Sequence, residues 1–272
     1  MSTSVVQANI EVHTRMADSY NCNEPHFRPE NQEHVRKILK DLRARCGGGK
    51  LLDLGCGTGF IINLAQDLFD EIHGVDVTQA MLNKVDCSSG NITLHNTEAT
   101  KLPFQDGTFD LVSAYSFLHH VEDYKEVLRE AARVLKPDGL CYVDLEPNKL
   151  FWEALSSLQK DVELSAVVKK GRDSVTQTDS RVAQQFGIPK EIVQQAEYGK
   201  YILGGIDARE VQKEAVALGF RSCTVWYEWF LGQAEVMHGQ SFEDAAKIEA
   251  YLREVIPLSS HLFKYVQFLF VK

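Results

Sequence analysis

At 272 residues the chain is long for one domain and short for two, which favours a single domain with insertions. A formal net charge of −9, with acids spread along the chain, argues against a general binder of nucleic acid or anionic membrane, because phosphate contacts need gathered Lys and Arg. The hydrophobic content of 44% is that of an ordinary globular protein.

The six cysteines (22, 46, 56, 87, 141 and 223) form no C-x-x-C pair and no Cys/His ligand spacing, so reduced thiols in a cytoplasmic protein are expected. The first residues lack a basic stretch followed by an apolar one, so no signal peptide is expected. No apolar run reaches membrane-spanning length.

In chain order, residues 1–29 read as a polar, irregular N-terminal arm broken by Pro25 and Pro29. From Glu30 to Cys46, Val35, Ile38, Leu39 and Leu42 recur at helical spacing, and Gly47-Gly48-Gly49 ends the helix. The basic run Arg36 to Arg45 on this helix reads as a solvated face. A strand at Lys50–Leu54 runs into Gly55-Cys56-Gly57-Thr58-Gly59, followed by an amphipathic helix with Ile61, Leu64, Ala65 and Leu68 on one face. Glycines there permit positive φ and close approach of a ligand to the backbone. The helix start offers free N–H groups.

A second strand, Glu71–Asp76, ends in an acid, and a helix from Gln79 to Val85 follows. Asn91–His95 and Phe109–Ser113 read as the third and fourth strands, separated by Glu98-Ala99, Leu102-Pro103-Phe104 and a turn at Asp106-Gly107. An amphipathic helix carrying Tyr124, Val127, Leu128, Ala131 and Leu135 leads to a fifth strand, Leu140–Leu145. This alternation predicts an α/β, Rossmann-like, doubly wound and mostly parallel seven-stranded sheet. Asp53 to Gly59, Asp76, Glu98 and Tyr115 then gather at the carboxyl ends of the strands, where such sheets bind ligands.

Regularity breaks at Glu146-Pro147-Asn148. Residues 30–146 read as the core and 147–206 as a helical lid insertion, with helices expected at Leu150–Val168 and Pro189–Tyr198 and a poorly patterned stretch from Gly171 to Ser180. Residues 207–272 return to the core with a helix at Asp207–Leu218 and strands at Ser222–Phe230 and Phe263–Val271. A helical insert lies between them, at about 233–262.

The pattern Asp53-x-Gly55-x-Gly57-x-Gly59 resembles motif I of the class I S-adenosylmethionine (SAM) dependent methyltransferases, and the later motifs follow in that family's order. The resemblance implies SAM as cofactor. Gly55, Cys56, Gly57 and Gly59 would supply the glycine turn, Asp53 would orient the loop or the amino group, and Asp76 would bind the ribose. Val77 and Met81 would flank the adenine, with Glu98 or Ala99 beside its amino group. Tyr115 would contact the cofactor, and Tyr20, in a stretch similar to the family's N-terminal arm, would reach it.

Candidate catalytic residues are His119 and His120, of which one suits a general base at neutral pH, and Glu146, placed to bind a cationic amine or take a proton. Adjacent histidines on a strand or helix point in different directions, so no metal site is expected. Trp152, Trp226, Tyr227, Trp229 and Phe230 either line an aromatic pocket or pack in the core. The expected function is methyl transfer to the N or O nucleophile of a small-molecule acceptor, with no nucleic-acid or membrane partner. A non-catalytic SAM-binding or partner-binding protein, a macromolecular acceptor and a nicotinamide-dependent oxidoreductase are the alternatives.

Overall fold

The computed structural model describes residues 4–157 and 163–272. Its seven strands are β1 (Lys50–Leu54), β2 (Glu71–Asp76), β3 (Ile92–Asn96), β4 (Phe109–Tyr115), β5 (Leu135–Pro147), β6 (Ser222–Phe230) and β7 (Phe263–Val271). They lie in the order β3-β2-β1-β4-β5-β7-β6. β7 runs antiparallel between β5 and β6, and the other pairs are parallel. The chain winds outward from β1 to β3, then returns to place β4 on the other side of β1. That reversal opens a crevice beyond the ends of β1 and β4.

Central strands are apolar because both their faces are covered. Leu52, Leu54, Val112, Ala114 and Val143 face Val127, Leu128 and Ala131 of helix Tyr124–Val134 and Val211 and Ala215 of helix Ala208–Ala217. The alternate residues Leu51, Leu111 and Leu140 face Val35, Leu39 and Leu42 of helix Pro29–Arg45 and Ile61 and Leu64 of helix Phe60–Ala65. On the outer side of helix Pro29–Arg45, Arg36 makes two hydrogen bonds to Asp67 and Arg43 pairs with Asp70. This is the solvated basic face.

The N-terminal arm is more ordered than its polarity suggests. Val5–Met16 is a helix that begins where Ser4 Oγ accepts from Gln7 N–H at 3.2 Å. Val5, Ala8, Val12 and Met16 are buried at three- and four-residue spacing. Ala8, Val12 and Met16 form a small separate core with Ile188, Val193 and Ala196 of the insertion.

The insertion also departs from expectation. Gly171 to Ser180 lies within two helices, Ala166–Thr176 and Thr178–Phe186. Ser165 caps the first, and Gly187 ends the second in left-handed conformation. The helix expected over Leu150–Val168 is present as Lys149–Ser156, capped by Asn148, and residues 158–162 of that stretch lie outside the described residues. Beyond Pro189 the expected helix is two short ones, Lys190–Ala196 and Tyr198–Tyr201.

Candidate active site

The crevice beyond β1 and β4 holds a cavity of about 450 Å³, within the usual range for small-molecule sites. Its floor is the glycine turn. Gly55, Gly57 and Gly59 all have positive φ, at 63°, 51° and 88°. Gly55 is further constrained by a neighbour, since a Cβ there would lie 2.0 Å from the Phe117 ring. The turn is tied to the end of β2 because Asp76 accepts from Gly57 N–H at 2.9 Å and from Thr78 N–H at 2.8 Å. One carboxylate thus fixes two loops and keeps further lone pairs.

Asp53 is buried and accepts from Ser113 Oγ at 2.7 Å. Burial pushes its carboxyl up to about 7, against the pull of the Ser113 hydrogen bond and helped by the charge of Asp76. Val77, Met81, Glu98 and Ala99 form one wall. The roof is the N-terminal helix, through Ser4, Val5, Asn9 and His13. Asn9 Nδ2 donates to the His120 carbonyl at 2.8 Å, which ties the roof to the loop after β4.

That loop is a 3-10 turn, Leu118–His120, organised around Glu146. The Glu146 side chain is fully buried and accepts from the backbone N–H groups of Phe117, Leu118 and His119 and from His119 Nδ1 at 2.8 Å. Its acceptor capacity is turned inward, and it does not line the cavity.

The two histidines do not diverge as expected. A 3-10 turn is tighter than an α-helix, and each ring is steered by a separate acceptor. His119 Nδ1–H donates to Glu146, and His120 Nδ1–H donates to the Ala196 carbonyl at 2.9 Å. The ring centroids are 4.2 Å apart. Both Nε2 atoms face Glu197, at 3.9 Å from His119 and 4.0 Å from His120. Gly199 makes this approach possible, because a Cβ there would come within 2.7 Å of His119 Cα.

Lys200 Nζ lies 3.3 Å from Glu197. Glu197 is half-buried, and Lys200 and the histidines hold its carboxyl well below the usual range against the effect of desolvation, while Glu197 in turn raises Lys200. Burial presses His119 down, but Glu146 and Glu197 more than offset this and leave it raised. Burial and the neighbouring His119 lower His120 well below its ordinary value. Glu24 is raised to about 7 by burial and by Glu197.

Of the residues singled out from sequence, Tyr20, Asp53, Gly55, Cys56, Gly57, Asp76, Val77, Met81, Glu98, Ala99, Tyr115 and His120 border the cavity. Gly59 does not; it is the left-handed residue that opens helix Phe60–Ala65. Cys56 has its sulfur packed toward Gly74, on the sheet side. His119 and Glu146 lie behind His120, outside the cavity lining. The aromatic residues from Trp226 to Phe230 and Trp152 are also absent from its walls. Trp152 instead lies with its ring centroid 5.5 Å from Lys200 Nζ.

Sequence reasoning missed the roof, whose signal was Ser4 ahead of the spaced Val5, Ala8, Val12 and Met16. It also missed Glu197 and Lys200, which carry no local motif.

Sheet order, glycine turn and strand-end acid together define the class I SAM-dependent methyltransferase fold. Residues 52–143, about a third of the chain, match the family model described as a methyltransferase domain. The chain is 36% identical over 111 residues to a demethylmenaquinone methyltransferase of Staphylococcus aureus. That match covers 39% of this chain and 46% of the relative, so it spans less than half of the relative's length.

Among solved structures, phosphoethanolamine N-methyltransferase 2 of Haemonchus contortus, in complex with phosphomonomethylethanolamine and S-adenosylhomocysteine, superposes with a TM-score of 0.61 at 16% identity. It covers all of this chain and 60% of the other. The [4+2]-cyclase SpnF superposes with a TM-score of 0.58 at 16% identity, covering 100% of this chain and 97% of that one. A fold shared with a cyclase does not by itself name a reaction. Among the described residues no helix is long and apolar enough to cross a membrane.

Proposed function

We propose that the chain binds SAM in this cavity and transfers its methyl group to a nitrogen or oxygen nucleophile of a small-molecule acceptor. The observation that carries the reading is Asp76, held at the end of β2 by Gly57 and Thr78 with its carboxylate at the cavity wall. A carboxylate so placed can accept from a pair of adjacent ribose hydroxyls. Val77, Met81 and Ala99 offer an apolar slot for a flat base, with Glu98 near its edge. Asp53, enclosed and ready to ionise, suits the ammonium group of the methionine moiety. These features fit the cofactor's diol, base and amino acid parts.

Bound SAM supplies a methyl group already activated on a sulfonium. The chain's own residues then position the acceptor and exclude water. Orientation alone can lower a barrier by about 7–11 kcal/mol when reacting atoms are held about 3–3.5 Å apart. Tyr20, Tyr115 and His120 border the rest of the cavity. His120 is the histidine that borders the cavity, and burial together with His119 holds its ring neutral. Glu146 and His119 act through it as positioning residues. The arm at 1–29, the lid at 147–206 and the insert at about 233–262 are read as parts that shape the acceptor side.

The cavity's size supports a small acceptor, as does the S. aureus relative, which is named for a small-molecule methyl transfer. Calorimetric titration of the full chain with SAM tests the donor part. Saturable binding is expected, and Asp76→Ala should weaken it about 10- to 100-fold, as loss of charge-assisted hydrogen bonds of roughly 1.5–3 kcal/mol implies. Absence of binding to the unaltered protein overturns the reading. Binding without methyl transfer across a panel of amines, phenols and quinols leaves a SAM-binding protein rather than an enzyme.

A further inference from the structure

The loop after β4 and the lid meet at a cluster that the donor reading does not use. His119 and His120 lie ring beside ring, and Glu197 faces both free Nε2 atoms. These three donor atoms lie within 4.8 Å of one another. We propose that His119 Nε2, His120 Nε2 and the Glu197 carboxylate form a binding site for a borderline divalent transition metal ion of the zinc type. This inference stands independently of SAM binding.

The protonation pattern is the first argument. Glu146 and the Ala196 carbonyl can only accept, so each histidine carries its proton on Nδ1 when neutral. The lone pairs are therefore on Nε2, the atoms that face Glu197. Metal-binding histidines are typically oriented in this way, with the other ring N–H donated to a carboxylate or a backbone carbonyl.

Spacing is the second argument. Nitrogen and oxygen ligands sit about 2.0–2.1 Å from a zinc ion, so two of them at a tetrahedral ion stand roughly 3.4 Å apart. The separations of 3.9 Å from His119 to Oε2 and 4.0 Å from His120 to Oε1 are too long for direct hydrogen bonds, and side-chain adjustments of roughly half an ångström or more would bring the donors, all within 4.8 Å of one another, onto one ion.

The donor set decides the ion. Two imidazoles and one carboxylate suit zinc, iron, nickel or copper, and do not suit magnesium or calcium, which take oxygen ligands. Lys200 shares Glu197 and opposes a cation electrostatically. The site must therefore rely on strong nitrogen coordination rather than on net negative charge. Three protein donors leave a fourth position open. His120 borders the cavity, so the cluster adjoins the space assigned to the acceptor.

Titration of the metal-free full chain with cobalt(II) chloride, followed by displacement with zinc, tests the site. One ion per chain is expected, with visible d–d absorption and no thiolate-to-cobalt bands in the near ultraviolet. Glu197→Gln and His120→Ala should each weaken binding at least 10-fold. Lys200→Met keeps all three donors and removes the competing cation, so it should bind more tightly, a gain that misfolding cannot produce. No saturable binding, thiolate bands from Cys22 or Cys87, unchanged affinity in both ligand variants, or equal or weaker binding in Lys200→Met each overturns the proposal.

Discussion

The cavity's floor and wall come from short segments that follow β1, β2 and β3. Gly55, Gly57 and Gly59 follow β1 directly, and Asp76 ends β2. Its roof and rear come from residues far apart in the chain. Asn9 meets His120 across 111 positions, and Ala196 meets His120 across 76. The floor is specified locally by backbone geometry. The roof and rear exist only when the N-terminal helix, the loop after β4 and the insertion close on one another. Damage to the floor should therefore alter folding and donor binding together, whereas damage to the roof should act chiefly on how the site is closed.

The largest effect expected is at Gly55. Alanine there takes a left-handed conformation, costing roughly 1–2 kcal/mol, and its Cβ meets the Phe117 ring, an overpacking cost of typically about 1–3 kcal/mol. Gly55→Ala should lower unfolding stability by about 2–5 kcal/mol in denaturant titration, with SAM binding lost in parallel. A variant of full stability would show that the floor yields more readily than its geometry implies.

Next is Asp53. Its folded carboxyl lies at about 7, above the unfolded value. The native state therefore holds this proton more tightly than the unfolded chain does. The resulting stability is present in full below the unfolded value and is lost as pH rises through about 7. An ammonium partner favours the ionised form, so SAM affinity should rise with pH across the same range. Asp53→Asn should flatten both trends. Comparison with the parent chain isolates this contribution from Glu24 and Asp144, which also lie at about 7. Calorimetry and thermal unfolding at several pH values measure the two trends.

The smallest effect is expected at the roof. Asn9→Ala removes the hydrogen bond to the His120 carbonyl and should cost about 1 kcal/mol. It should speed SAM dissociation in stopped-flow measurements more than it changes association. An unchanged dissociation rate would separate the roof from donor retention.

This contrast also explains what could be read from the chain. β1, β2, β6 and β7 were legible to the residue because glycines, acids or turns bound them, the inner strands as short apolar runs and the edge strand β6 as an alternation of exposed and half-buried side chains. The donor side was legible where its expected residues lie beside strand ends, and most of them border the cavity; Tyr20 instead reaches it from the short helix Tyr20–Asn23. Helices Ala166–Thr176 and Thr178–Phe186 were not, because they are polar and make little core, so hydrophobic periodicity hardly marks them. Glu146 read as an acid placed to bind a cationic amine or take a proton, yet it is the buried centre of four hydrogen bonds. Nothing local announces that three backbone N–H groups will converge on it. The histidine pair misled for a related reason, since the divergence rule for neighbouring side chains assumes regular backbone and Leu118–His120 is a tight turn.

The placement of the roof has a practical side. Ser4 stands on the rim of the cavity, while Val271 pairs with Leu140 at the opposite end of the sheet, next to Lys272. A fluorescent label attached at Ser4 would therefore stand beside the ligand entrance and report on its occupancy, whereas one attached at Lys272 would stand at the far end of the sheet and leave the entrance clear.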